Sequence, residues 1–296
     1  MFAKNFTRRE FIKTGALAVA SSTLIGSKSF LLGKTDNKSK VILIRNENVI
    51  DDKNKINSEV LEKMLDEAVK LLFDTKDTDT AWEKIINPQD IVGIKSNVWN
   101  YLPTPPELES IIKKRVMEAG VNENNISIKD RGVLNDPIFQ KATVLINSRP
   151  MRTHYWSGVG TLLKNYIMFV NRPSDYHGDS CADLASIWKL PVVKDKTRLN
   201  ILVMLTPQFH SVGPHGYSPE YIWQYKGLIV STDPVAADST GLRIIEAKRK
   251  EYFKEDRPLS PPAKHIELAD TRHHLGTADV RKIDLIKIGR DENILI

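Results

Sequence analysis

Arg149, Arg152, His154, Ser157, Lys164 and Asn165 fall within one short stretch, NSRPMRTHYWSGVGTLLKN, from Asn147 to Asn165. Guanidinium, ammonium and carboxamide groups at this density suit a carboxylate or phosphate, which arginine can grip with two parallel hydrogen bonds. An imidazole beside them could move a proton as general acid or base. An apolar run, Thr143 to Ile146, precedes the stretch and reads as a buried strand. The polar residues then read as one turn and the opening of the next helix. Gly158 and Gly160 leave the backbone room to approach a ligand. Strand ends followed by helix starts are where open α/β sheets bind ligands, and the functional site is expected here.

The elements that must position these groups alternate along the chain. Val41–Arg45, Ile91–Ile94, Ile126–Lys129, Val144–Ile146, Leu199–Leu205, Leu228–Val230 and Ile283–Ile288 read as strands. A helix capped by Asn57 or Ser58 carries Leu61, Met64, Leu65, Ala68, Leu71 and Leu72 at helical spacing. A second starts at Thr104-Pro105-Pro106-Glu107, read as a capping box, and stops at Gly120. Asp233-Pro234 opens a third helix through Ala237, Leu242 and Ile245; residues 249–262 read as charged and Pro-rich, with a short helix near Ala263–Ala269. This order predicts an α/β fold, a mostly parallel sheet with helices on both faces, Rossmann-like and three-layered. Residues 1–34 are set apart as a leader, and residues 35–296 form a single domain. In a parallel sheet the carboxyl ends share one edge. Lys95 and Asn97, Asp130 and Arg131, Arg149, Arg152 and His154, and Thr232 and Asp233 should therefore converge, with Lys164 and Asn165, on a small-molecule ligand. His154 is the first choice for acid or base, with Asp130 or Asp233 as its partner.

Other chemistries find less support. Gly158-Val159-Gly160-Thr161-Leu162-Leu163-Lys164 matches neither nucleotide-binding glycine pattern. Ser157 lacks the nucleophile elbow, and Cys181 has no local sign of thiolate activation. His177-Gly178-Asp179 and the pair His210 and His215 lie in loops and could hold a divalent metal, though their spacing matches no specific metal motif. Trp99, Tyr101, Tyr155, Trp156, Tyr217, Tyr221, Trp223 and Tyr225 could wall a pocket for a ring or sugar, or pack in the core.

Charge and cysteine content narrow the setting. Thr7-Arg8-Arg9-Glu10-Phe11-Ile12-Lys13, followed by the short apolar segment Thr14–Gly26, matches a twin-arginine export signal, so the twin-arginine translocase is an expected partner. The segment is too short and too rich in Ala and Ser for a comfortable membrane span. With no clear cleavage site, the leader could be kept as a membrane tether on a periplasmic or otherwise exported protein. Lys4, Arg8, Arg9, Lys13, Lys28 and Lys34 against Glu10 place five net positive charges in the leader, out of +6 for the chain. The remainder is nearly neutral, and a nucleic-acid partner is not expected. Cys181 is the one cysteine, which excludes an intramolecular disulfide and an iron–sulfur cluster.

Lys95-Ser96-Asn97, Arg152-Thr153-His154 with Gly158-x-Gly160-x-Leu162-Leu163-Lys164-Asn165, and Thr232-Asp233-Pro234-Val235-Ala236-Ala237-Asp238 resemble domain-of-unknown-function family 362. Leu275-Gly276-Thr277-Ala278-Asp279 resembles the family's closing motif, so the resemblance spans nearly all of the chain after the leader. Ser96 stands where the family usually has Pro, and Arg152 where it usually has Lys. Many relatives carry a ferredoxin-like module, for which this chain lacks the cysteines. The resemblance implies the fold and the place of the site, and no shared reaction. The expected function is an enzyme acting on a small anionic or sugar-like compound, with or without a divalent metal. The alternative is a non-catalytic protein that binds a ligand or cofactor.

Overall fold

Val41 and Leu43 point to one side of the first strand and Ile42 and Ile44 to the other, and each pair joins a separate apolar core. The same alternation runs through Leu145 against Val144 and Ile146, Leu202 and Met204 against Ile201 and Val203, and Ile229 against Leu228 and Val230. A sheet buried on both faces needs such strands, apolar throughout. The computed structural model describes residues 38–211 and 217–296, all within a unit spanning Asn37–Ile296. The twin-arginine segment and His215 lie outside the described residues.

The strands are β1 (Ser39–Arg45), β2 (Val92–Lys95), β3 (Ile126–Lys129), β4 (Val144–His154), β5 (Gly158–Gly160), β6 (Thr197–Gln208), β7 (Gly227–Ser231) and β8 (Ile283–Gly289). Their order is β3-β2-β4-β6-β7-β1-β8, with β5 folded back on β4. Along that path only β7 runs against its neighbours. The helices Ser58–Leu72 and Pro106–Glu118 cover one face, and Pro234–Phe253 and Lys264–Thr271 cover the other. The fold is thus the expected three-layer α/β type with a mostly parallel sheet. None of the described helices is long and apolar enough to cross a membrane.

Four local expectations are corrected. β4 does not end at Ile146: it continues through Arg149 and Arg152 to His154, and every one of its residues is buried. Asn147 Nδ2 donates to Asn200 Oδ1 of β6 at 3.3 Å, so polar side chains satisfy one another inside the sheet. The helix at Pro106 starts without a capping box. Thr104 Oγ1 instead accepts from Asn97 N–H at 3.1 Å and donates to Ser148 O at 3.2 Å, tying the end of β2 to β4. The helix begun at Pro234 runs on to Phe253, into the charged segment. Reversal of β7 carries Thr232 and Asp233 toward the amino edge of the parallel strands. There Asp233 Oδ1 accepts from Val235 and Ala236 N–H, and its Oδ2 from Ser39 Oγ and Thr277 N–H. Its carboxylate is fully used as a cap and a clasp for the start of β1.

Candidate anion-binding cleft

The carboxyl ends of β2, β3 and β4 open into a cleft of about 220 Å³, lined by Asn97, Asp130, Arg149, Arg152, His154, Lys164, Asn165 and His177. Trp99, Trp156, Ile167 and Met168 form much of its apolar wall. Its volume falls below the roughly 300–1,000 Å³ of drug-sized pockets and suits a small metabolite. The expected Lys95, which ends β2, lies just beneath and is wholly buried.

Lys95 Nζ donates to Asp130 Oδ1 at 2.7 Å, to Ser96 O at 2.7 Å and to Asn165 Oδ1 at 3.4 Å. Burial pushes its pKa down to about 8, partly offset by Asp130, so the ammonium persists at neutral pH. Burial alone would raise Asp130; the Lys95 ammonium and the Val98 N–H, which donates at 3.0 Å, hold it low instead. Asp130 is therefore a buried counter-ion to Lys95, and it forms no dyad with His154.

Asn165 is the hub that joins the strands. Its Nδ2 donates to Lys95 O, Asn147 Oδ1 and Ser148 O at 2.8–3.2 Å. The short helix Leu162–Asn165 that carries it is pinned by Asp238, whose two carboxylate oxygens accept from Leu162 and Leu163 N–H at 2.9 Å each. Those helix-start amides are thereby satisfied within the protein. Burial raises Asp238 to about 7, against the hydrogen bonds that stabilise its charge. Asp238 was missed as a site residue because only the fold joins it to residues some 75 positions away; its place in the Asp-Pro helix motif was the available signal.

The arginines differ. Arg152 Nη2 donates to Asn97 Oδ1 at 2.9 Å, and its guanidinium carbon lies 4.5 Å from the centroid of the Trp99 ring, a cation–π distance. Arg149 is 4% exposed and donates to no acceptor among the described residues; its Nε is buried without a partner. Gly160, paired with Arg152 across the β4–β5 hairpin, makes room for Arg149: a Cβ there would stand 2.6 Å from Arg149 Nη2. Gly158, at φ +71°, closes the hairpin, and a Cβ there would meet the backbone of Pro261 and Ala263. These glycines accommodate the protein's own groups.

His154 Nδ1 accepts the Trp156 N–H at 3.2 Å, which places the proton of the neutral ring on Nε2. Burial pushes its pKa well below the ordinary histidine range, with Lys164, Arg149 and Arg152 adding repulsion. The ring is therefore held neutral, with its N–H on Nε2. Lys164 Nζ lies 3.4 Å from the Cys181 thiol, and burial pushes it down to about 8.

Of the residues expected to hold a metal, the described His177, Asp179 and His210 do not gather with a third ligand. His177 stacks on Trp156 in the cleft, with ring centroids 4.1 Å apart. Asp179 is exposed and paired with Lys264 at 2.6 Å. His210 accepts from Arg249 Nη1 at 3.0 Å, and a guanidinium so close opposes a second cation. No three His, Cys, Asp or Glu side chains among the described residues form a metal-sized group. Of the expected aromatic residues, Trp99 and Trp156 face the cleft, whereas Tyr221 and Trp223 pack around Phe209.

No curated protein and no solved structure matches the chain. Residues 109–243 match the model of a family described as "Domain of unknown function (DUF362)", a span that holds Asp130, β4 and its hairpin, the Leu162–Asn165 helix and Asp238 but neither Lys95 nor the closing Leu275–Asp279 motif.

Proposed function

We propose that the cleft binds a small molecule bearing a carboxylate or phosphate, and that the chain is an enzyme acting on it. Arg149 carries this reading. A buried guanidinium with unused donors is expensive to desolvate unless an anion meets it. Lys164 and Arg152 add positive charge around the same space, and Asp130 is already committed to Lys95. The His154 Nε2–H could donate to an oxygen on which charge develops, a role suited to a neutral imidazole. Trp99 and Trp156 supply flat apolar walls, compatible with a ring or sugar attached to the anionic group.

Thermal shift with inorganic phosphate, L-lactate and pyruvate tests the binding reading. At least one should raise the unfolding midpoint of the wild type saturably and leave Arg149→Met unmoved; equal shifts in both would refute it. A non-catalytic binding protein is the second reading, favoured by the lack of a carboxylate partner on His154. An enzyme should lose turnover and keep ligand affinity in His154→Ala, whereas a binding protein would lose affinity or nothing.

From Thr7–Lys13 we also infer export by the twin-arginine translocase, to the periplasm or an equivalent space, with the leader cut or kept as a tether. Residues 1–40 fused to a reporter should be exported, and Arg8→Lys/Arg9→Lys should keep it in the cytoplasm. Export unaffected by that change would sink the inference.

A further inference from the structure

The two lysines of the site are held in opposite ways. Lys95 is locked by a carboxylate, a carbonyl and a carboxamide, and is 0% exposed. Lys164 lines the cleft, and among the described residues its amine has the Cys181 thiol beside it and no carboxylate at contact distance. Burial raises the Cys181 pKa, so that thiol is neutral and offers no ion pair. Arg149 and Arg152, with the neutral rings of His154 and His177, share the cleft with Lys164, and the carboxylate there, Asp130, is paired with Lys95. An amine enclosed by cations and kept from water favours its neutral, nucleophilic form, the condition that lets a lysine attack a carbonyl. Its pKa, lowered to about 8, agrees with that placement.

We propose that Lys164 Nζ forms an imine with the carbonyl carbon of a small 2-oxo carboxylate whose carboxylate rests on Arg149. This rests on the anion-binding reading above. The amine lone pair attacks the carbonyl carbon, a C–N bond forms, and the C=O π pair moves to oxygen. A proton passes from nitrogen to that oxygen to give the carbinolamine. Loss of the hydroxyl with the remaining N–H proton releases water and leaves C=N, with no oxidant or reductant consumed. The His154 Nε2–H is the donor available to the oxygen as charge builds there. The carboxylate on Arg149 offsets the charge of the imine once protonated.

Reductive trapping tests this on the purified full chain. Pyruvate or glyoxylate is added with sodium cyanoborohydride, and lysine adducts are mapped by peptide mass spectrometry. One saturable adduct on Lys164, suppressed by excess L-lactate, is expected. It should be lost in Lys164→Arg and Arg149→Met and kept in Lys264→Arg, a surface change. Calorimetric titration of L-lactate separates the two claims. Lactate binding that needs Arg149, with no adduct on Lys164, would overturn the imine and leave the anion site standing. Neither binding nor adduct would overturn both. Adducts spread over surface lysines without lactate protection would also overturn the imine. Mapping on the wild type decides the matter even where a Lys164 variant fails to fold.

Discussion

Arg115 and Arg149 are both enclosed arginines, and their surroundings are opposite. Arg115, between the helices Ser58–Leu72 and Pro106–Glu118, meets Glu62 at 2.6 Å, Asp66 at 2.5 Å and Glu118 at 2.5 Å. Arg149, in the sheet, has no carboxylate at contact distance among the described residues, and Asp130 and Asp238 act on it only from farther off. Two buried arginines side with Arg115 in being satisfied: Arg45 donates to Tyr225 O and Glu292 O, and Arg249 to Phe209 O and Pro258 O. Where the fold needs an arginine for its own sake, it supplies the acceptors. Arg149 lacks them at the one cleft where Lys164 and Arg152 also gather. The difference separates charge that holds the molecule together from charge held ready for something else.

The largest effect expected from this contrast is on binding. Arg149→Met should weaken the responding anion by about 2–3 kcal/mol, roughly 30- to 150-fold in calorimetric Kd, the worth of hydrogen bonds to a charged group. Its thermal midpoint without ligand should hold or rise. Arg115→Met should do the reverse, costing about 2 kcal/mol in denaturant unfolding because it takes the guanidinium from Asp66, while Glu62 keeps Lys114, with anion affinity unchanged. A stability loss in Arg149→Met equal to that in Arg115→Met would erase the distinction.

The buried lysines sharpen the contrast through pH. Asp130, Arg149 and Arg131 act on Lys95; Arg149, Arg152, His154, His177 and the Cys181 thiol surround Lys164. Both lysines have folded pKa values of about 8, below the ordinary 10.5. Above pH 8 the unfolded chain holds more protons on them than the folded one, so stability rises with pH. The benefit is complete above about 10.5 and is lost as pH falls through about 8. Melting curves of the ligand-free protein from pH 7 to 9.5 should therefore show this contribution. Lys164→Met should reduce it and stabilise the protein at pH 7 by about 1–2 kcal/mol, the usual trade at a functional site. Lys164→Met less stable than wild type at pH 7 would contradict the lowered pKa. The smallest effect belongs to the amino edge. Asp233→Ala should cost about 1 kcal/mol through its lost helix cap and leave anion affinity alone. A large loss of affinity there would return Asp233 to the site.

Much of the fold was legible because apolar runs and helix punctuation are local. Val41–Arg45, Ile126–Lys129 and the Asp233-Pro234 start were readable from residue type and spacing. β4 was cut short because Asn147, Ser148 and Arg149 look like loop residues, and only pairing with Asn200 and Asn165 makes them interior. The direction of β7 leaves no mark in its residues, yet it decides that Asp233 and Arg149 lie at different edges. Asp238, whose carboxylate takes the helix-start amides, and Gly160, which yields its side-chain space to Arg149, were hidden for the same reason: their roles belong to residues brought beside them by the fold.

The central claim is that Arg149 is an anion seat, and paired calorimetric titrations of wild type and Arg149→Met with L-lactate, pyruvate and inorganic phosphate test it most directly. The account predicts saturable one-to-one binding of at least one of them to the wild type and a loss of roughly 30- to 150-fold in the variant. Wild-type protein that binds none of the three, or a variant that binds as tightly, would contradict it.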